Sequence, residues 1–326
     1  AQTGTGKTAA FVLPILSILS NKKQSNKVKA LIIAPTRELA KQIDLQIEGF
    51  SYYTNSSSYP IYGGGTGPEF ENQKQALVKG TDIIICTPGR LMAHLKFNYF
   101  DTSEIEYLIL DEADRMLDMG FLRDIKKIMS MMPDKRQNLL FSATLNDDVE
   151  KIHQLVLVNP VLIKIEDKQD TFDLIKQRGY WVSEEKKGPL LRYLIKKDDM
   201  KQVLIFTAST YKADNVADKL RNNGIDASAI HSKKSQTARL NALARFKSGS
   251  LKVLVATDLL ARGIDIEFLP FVVNYELPRS PKDYIHRIGR TGRAENPGEA
   301  ISLITPEEEH HFKVIQKKMK KTTFNT

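Results

Sequence analysis

The sequence predicts an α/β protein of two parallel-sheet domains, and three observations carry that prediction. Short β-branched runs alternate with longer segments of helical character, the pattern of strand–helix–strand units wound around a sheet. The runs are apolar almost throughout instead of alternating, as strands covered on both faces should be. The chain has 326 residues, and a domain takes ~100–200 residues, so two domains are expected.

In the first half the strand candidates are 30–34, 82–86, 107–110 and 138–141; in the second they are 202–206, 227–230, 252–256, 271–274 and 300–304. A helix is expected over 9–19, kinked at Pro14 because proline lacks the N–H donor. Another is expected over 210–221, stopped by Asn222-Asn223-Gly224. A charged, aperiodic stretch, 167–177, reads as a linker between a first domain, 1–166, and a second, 178–326.

Polar clusters follow the strands directly, at 35–40, 87–90, 111–114, 142–144, 207–210 and 257–265. In open parallel sheets, ligands bind beyond the carboxyl ends of the strands. The clusters are therefore expected at one edge of each domain, and two such edges face to face would make a cleft.

Composition narrows the class. Residues 1–166 hold 19 Lys+Arg and 19 Asp+Glu, whereas 167–326 hold 29 and 20, so the whole net charge of +9 lies in the second half. A basic half beside a neutral one suits either a polyanion partner or a solvated lysine-rich surface. The single cysteine, Cys86, excludes an internal disulfide framework and suits a reducing cytosol. No apolar run approaches the ~18–20 residues that span a bilayer, so no membrane partner is expected.

Residues 1–8, AQTGTGKT, have the spacing of a phosphate-binding loop. Its glycines let backbone N–H groups curl around phosphate oxygens, Lys7 would reach the terminal phosphates and Thr8 would ligate Mg²⁺. The helix that follows points its positive end at the anion. Asp111-Glu112-Ala113-Asp114 ends a hydrophobic strand. Beside such a loop, Asp111 suits the second Mg²⁺ ligand, partly through water, and Glu112 suits the group that deprotonates attacking water. Taken alone, this acidic cluster equally suits a helix start. The stretch 286–293, HRIGRTGR, spaces three arginines with glycines between them; it is either a solvated basic turn or a set of arginine fingers for a γ-phosphate.

AQTGTGKT, PTRELA (35–40), GGG (63–65), TPGR (87–90), DEAD (111–114), SAT (142–144), the Gln236/Arg239 pair, ATDLLARGID (256–265) and HRIGRTGR occur in this order. The series resembles the motif ladder of the DEAD-box RNA helicases of helicase superfamily 2, from residue 1 to about 305, with a bacterial, RhlE-like texture. The resemblance implies two tandem RecA-like domains, each a mostly parallel sheet flanked by helices, and RNA-stimulated hydrolysis of ATP with Mg²⁺. It implies cleft closure and local, non-processive opening of RNA duplexes.

By the same resemblance Gly4, Thr5, Gly6, Lys7, Thr8, Asp111, Asp265, Arg290 and Arg293 hold the nucleotide and its metal, with Lys7, Glu112, Arg290 and Arg293 catalytic. Ser142, Thr144, Arg262, His286 and Arg287 would couple nucleotide to domain closure. Arg37, Gly64, Thr87, Arg90, Arg239 and Thr257 would grip RNA through phosphate and sugar, which positions a strand without reading its sequence. The implied setting is a cytoplasmic monomer with ribosome-assembly or RNA-decay proteins as partners.

Two departures stand out. The family has a strand and an adenine-reading segment before the phosphate loop, and the sequence begins at Ala1 with neither, so a partial chain is expected. Ala93 stands where the family often carries aspartate. His310-His311 lacks partners at metal-ligand spacing, and Lys317, Lys318, Lys320 and Lys321 form a basic tail. An ATP-gated RNA clamp with little unwinding uses the same motifs. A DNA-unwinding relative is disfavoured by Asp114, where many such relatives carry histidine.

Overall fold

The computed structural model describes residues 6–22, 25–64, 67–143, 147–165, 175–258, 266, 269–292 and 298–319. The chain divides into two compact units, Ala1–Asp167 and Lys168–Thr326.

The first unit runs α1 (Lys7–Ser20), β1 (Ala30–Ile33), α2 (Arg37–Phe50), β2 (Ser58–Ile61), α3 (Gly67–Lys79), β3 (Ile83–Cys86), α4 (Pro88–Leu95), β4 (Tyr107–Leu110), α5 (Ala113–Asp118), α6 (Leu122–Met129), β5 (Gln137–Leu140) and α7 (Asp147–Val156). Its sheet has the order β2-β3-β1-β4-β5, and every pairing is parallel. Successive strand residues point to opposite faces, and both faces are covered. Leu31 and Ile33 join one core with Leu91, Ile125 and Ile152 of the helices on that side. Ala30 and Ile32 join the other core with Phe11, Ile15 and Ile43 of α1 and α2. This double burial is why β1 reads Ala-Leu-Ile-Ile with no polar member. Helix α1 runs unbroken through Pro14, which sits on its exposed side.

The second unit runs β6 (Ile175–Trp181), α8 (Glu184–Lys197), β7 (Val203–Thr207), α9 (Thr210–Arg221), β8 (Ala227–Ile230), α10 (Gln236–Lys247), β9 (Val253–Thr257), β10 (Phe271–Asn274), α11 (Pro281–Ile288), β11 (Gly298–Ile304), a 3₁₀ turn at Pro306–Glu308 and α12 (Glu309–Lys318). Its parallel sheet has the order β6-β11-β10-β7-β9-β8. Ile205, Val253 and Val273 pack against α8 and α9 on one face, and Leu204, Phe206 and Leu254 against α10 on the other. Strand β6 begins at Ile175, three residues before the end of the stretch 167–177 that reads as a linker in sequence.

Helix starts are set locally. The side chains of Thr36, Ser209, Ser235 and Ser280 each accept a hydrogen bond from the backbone N–H three residues on, which satisfies a donor the helix cannot pair itself. Thr36 and Ser209 stand closest to the preceding strands, shortly after Ile33 of β1 and Thr207 of β7, so strand end and helix start lie within a few residues of each other there. Helix α9 stops at Asn222, with Gly224 in the left-handed region (φ 75°).

Candidate functional site

The carboxyl ends of the first sheet are level. Ile33 pairs with both Cys86 and Leu110, Ile61 with Cys86, and Leu110 with Leu140. The next backbone groups continue the ladder: Ala34 N–H donates to Cys86 O at 2.8 Å, Thr87 N–H to Ile61 O at 3.0 Å and Asp111 N–H to Ile33 O at 3.0 Å. Residues 35–40, 62–64, 87–90, 111–114 and 141–143 thus leave one edge together.

Asp111 is 3% exposed. Burial pushes its carboxyl up to about 7, Glu112 beside it pushes the same way, and Lys7 pulls it down. A carboxylate in that state favours a cation, and its oxygen donors suit Mg²⁺. The N-terminus of α1 fits an anion: Gly6 caps it in the left-handed region (φ 83°), and no acidic side chain lies in the first turn.

Glu112 holds φ 52°, a conformation that costs a non-glycine residue about 1–3 kcal/mol. Three contacts hold it there. Its own N–H donates to Asp111 Oδ1 at 3.0 Å, Ala113 N–H donates to Phe141 O at 3.0 Å, and its Oε2 accepts from buried Arg115 at 3.1 Å. The DEAD turn is thereby fastened to the start of the Ser142–Ala143 segment.

Of the residues expected to grip RNA, Arg37, Gly64, Thr87 and Arg90 gather at the neighbouring strand ends. Gly64 has φ 92°, and a Cβ there would sit 1.5 Å from Arg37 Nη1, so only glycine lets the guanidinium lie against this turn. Thr87 precedes α4 as its N-cap. Arg90 Nε–H donates to Gln73 Oε1 at 2.7 Å, and the guanidinium lies 4.5 Å from the Phe70 ring centre. Burial and the nearby Arg37 pull its pKa down from the usual arginine range, while Glu69 opposes them.

His94 is fully buried, stacks on Phe70 at 4.1 Å, and contacts Gln73 Oε1 at 3.0 Å and the Tyr99 hydroxyl. Burial, with Arg90 nearby, pulls its pKa down from 6.5 to about 4. Between those values the unfolded chain binds a proton that the folded chain does not. Stability is therefore complete above about pH 6.5 and falls as pH drops towards 4, by at most about 1.4 kcal/mol per pH unit. Asp111 titrates with the opposite sign, since its raised pKa makes its contribution fall as pH rises towards 7. The difference between two proteins isolates the histidine: from pH 7 to pH 5 the urea midpoint of the wild type should drop more than that of His94→Asn. Equal drops would contradict the assignment.

In the second unit Arg287 is 2% exposed. Its Nε and Nη2 donate to the two oxygens of Asp258 at 2.6 and 2.7 Å, and Nη1 to Asn274 Oδ1 at 3.0 Å and Glu276 O at 2.6 Å. Asn274 Nδ2 donates to Ser302 Oγ at 3.3 Å, and Tyr284 meets Ser302 at 3.2 Å and Gln177 at 3.3 Å. The fork that the sequence suggests as a link between domains is thus engaged inside its own unit, holding α11 to the ends of β9 and β10. Removing one partner of a buried pair strands the other. Arg287→Ala should cost the second unit about 3 kcal/mol in urea unfolding, and a loss under about 1 kcal/mol would contradict this role.

Arg290 is buried, with its carbonyl accepting from Leu269 N–H at 3.0 Å; His286 is half-buried on α11. Arg239 is buried on α10 and contacts Gln236. Thr257 ends β9 opposite Thr207. Gly4, Thr5, Thr144, Arg262, Asp265 and Arg293 lie outside the described residues. Gln73, His94, Tyr99, Asp258 and Asn274 were not singled out from sequence. Asp258 stands inside the quoted stretch ATDLLARGID and was legible there; the others become visible only through long-range contacts. Among the described residues no group of three or more His, Cys, Asp or Glu forms a metal cluster, and no helix is long and apolar enough to cross a membrane.

Residues 1–152 match the DEAD/DEAH box helicase family model, and residues 185–295 match the helicase conserved C-terminal domain. Over 321 residues the chain is 40% identical to the ATP-dependent RNA helicase CshA of Listeria monocytogenes, which covers 98% of this chain and 61% of that protein. It is 39% identical to the DEAD-box ATP-dependent RNA helicase CshA of Bacillus cereus, covering 98% and 60%. The chain therefore spans about three fifths of the length of these relatives. Among solved structures it is similar to S. cerevisiae Dbp5 bound to RNA and ADP BeF3, at 30% identity and TM-score 0.85, covering 100% of this chain and 83% of that one. A DEAD box protein from Methanococcus jannaschii gives 36% identity and TM-score 0.54, covering 99% and 85%. The two parallel-sheet units are RecA-like domains of the kind these structures contain. The RhlE-like texture expected from sequence gives way to likeness to CshA. With motif order, strand-end geometry and both family models in agreement, the chain belongs to the DEAD-box helicase family.

Proposed function

We propose that the chain is the motor core of a CshA-like, ATP-dependent RNA helicase, which hydrolyses ATP in response to RNA and opens short duplexes locally. The observation that carries this reading is the convergence at the first sheet's carboxyl edge. Buried Asp111 and the strained Glu112 turn lie there in the field of Lys7, and Arg37, Gly64, Thr87 and Arg90 lie at the adjoining strand ends. Dbp5 in its bound form carries RNA and a nucleotide analogue together, which supports the same pairing of ligands here.

In this reading Gly4, Thr5, Gly6 and Lys7 bind phosphate, and Thr8 and Asp111 hold Mg²⁺, which neutralises phosphate charge when bound. Glu112 orients water and takes its proton on a carboxylate oxygen. Arg290 and Arg293 supply guanidinium charge to the terminal phosphate, and Asp265 contacts the ribose. Arg37, Gly64, Thr87, Arg90, Arg239 and Thr257 hold phosphate and sugar. Ser142, Thr144, Arg262, His286 and Arg287 couple the two halves, Arg287 by bracing α11 from inside its own unit. If nucleotide and RNA each favour one closed arrangement, each raises the other's affinity. The proposed setting is a cytoplasmic monomer serving ribosome assembly or RNA decay, and the buried thiol of Cys86 suits a reducing compartment.

The test is steady-state ATPase activity with single-stranded RNA or DNA of equal length, beside strand displacement from a short RNA duplex. Stimulation by RNA at least tenfold above that by DNA is expected, with duplex opening. Equal stimulation by DNA would overturn the RNA assignment. Stimulation without strand displacement would favour an RNA clamp.

A further inference from the structure

Gln73 sits in the middle of α3, in none of the motifs, and is 4% exposed. It nevertheless bonds directly to one of them, 87–90, and to the residue that precedes another, 63–65. Its Oε1 accepts from Arg90 Nε of the 87–90 motif at 2.7 Å and lies 3.0 Å from His94 Nε2. Its Nε2 donates at 3.0 Å to the carbonyl of Tyr62, directly before the Gly63-Gly64 turn against which Arg37 lies.

Donor and acceptor chemistry allows one assignment of this cluster. Arginine nitrogens only donate, so the amide atom facing Arg90 is oxygen. The Tyr62 carbonyl only accepts, so the atom facing it is the amide nitrogen. A flipped amide would set N–H against N–H and oxygen against oxygen. His94 must then donate from Nε2, which leaves Nδ1 to accept from the Tyr99 hydroxyl in a neutral ring. The low pKa of His94 agrees with a neutral ring. The amide cannot rotate without breaking three contacts, and Phe70 closes the other side by stacking on His94 and under Arg90. Arg90 therefore has its Nε direction fixed from inside the fold. Its Nη2 is buried and finds no acceptor among the described residues, so the donors of the guanidinium are not used up inside the fold.

We propose that Gln73 is a positioning residue for RNA binding, aiming the Arg90 guanidinium at the strand and tying it to the Tyr62–Gly64 turn. The inference rests on the reading of Arg90 as an RNA contact, and the experiment separates the two. ATPase rates are measured against RNA concentration for the full chain and for Arg90→Ala, Gln73→Met, Gln73→Glu and the Gln73→Met/Arg90→Ala double variant. Methionine keeps the volume and removes both hydrogen-bonding ends. Gln73→Met should raise the KM for RNA about tenfold while kcat at saturating RNA stays within twofold. Gln73→Glu keeps the acceptor for Arg90 but sets a carboxylate oxygen against the Tyr62 carbonyl, so it should recover part of that loss. In the Arg90→Ala background Gln73→Met should add under twofold, because its effect passes through Arg90. If Gln73→Met does not melt cooperatively, Gln73→Asn takes its place, since the shortened amide cannot reach Arg90. An unchanged KM for Arg90→Ala would overturn the parent reading and this proposal with it. A raised KM for Arg90→Ala with an unchanged KM for the Gln73 variants would overturn this proposal alone, as would additive effects in the double variant.

Discussion

Glu112→Gln is expected to slow ATP hydrolysis by about 10²–10⁴-fold, the usual worth of a positioned general base, while nucleotide affinity stays within a few-fold. The geometry explains the split. The Glu112 backbone is held in the left-handed region by Asp111, Phe141 and Arg115, and glutamine retains an Oε1 for Arg115, so the turn should keep its shape. What disappears is the carboxylate charge that the proposed mechanism uses to accept a proton. Single-turnover phosphate release measures the chemical step, and displacement of a fluorescent nucleotide measures binding. A variant that loses affinity in proportion to rate would instead make Glu112 a binding group.

Lys7→Ala should abolish measurable turnover, by at least about 10²-fold, the loss seen when one electrostatic stabiliser is removed from a reacting group. Lys7 opens α1, where the helix presents its positive end, and it is the cation that draws the Asp111 carboxyl downward. Without it, Asp111 and Glu112 lose that cation, and the proposed phosphate site has no side-chain cation from α1. Lys7→Arg is expected to recover little, because a planar fork does not replace a compact point charge. RNA-stimulated ATPase activity at the wild-type level in Lys7→Ala would remove the phosphate-loop assignment.

Central strands were legible because they are buried on both sides. β1, β3, β4, β7, β9 and β10 are apolar runs, and the expected boundaries lie within a residue or so of the observed ones. The two strands absent from the sequence reading, β2 and β6, are both sheet edges. β2 carries Ser58 and Pro60, which an edge tolerates because one side of the ladder needs no donor. β6 alternates buried Ile175, Gln177 and Gly179 with exposed or half-exposed Lys176 and Arg178, so its charges mimic a linker. The site divides the same way. Motif residues that end strands could be placed from spacing alone. The side chains that aim them, Gln73 for Arg90 and Asp258 with Asn274 for Arg287, act across 17, 29 and 13 residues of sequence, a distance that local periodicity does not span.

One feature of the first sheet bears on how such proteins are dissected. The fastenings from 34 to 86, 87 to 61, 111 to 33 and 113 to 141 run from amide to carbonyl. Alanine scanning leaves every one of them intact, so a panel of side-chain variants does not probe what these bonds contribute. Amide-to-ester replacement at Ala113 removes a single donor and keeps the side chain. That chemical edit, rather than a change of residue, is the instrument that separates the DEAD turn from the segment behind it.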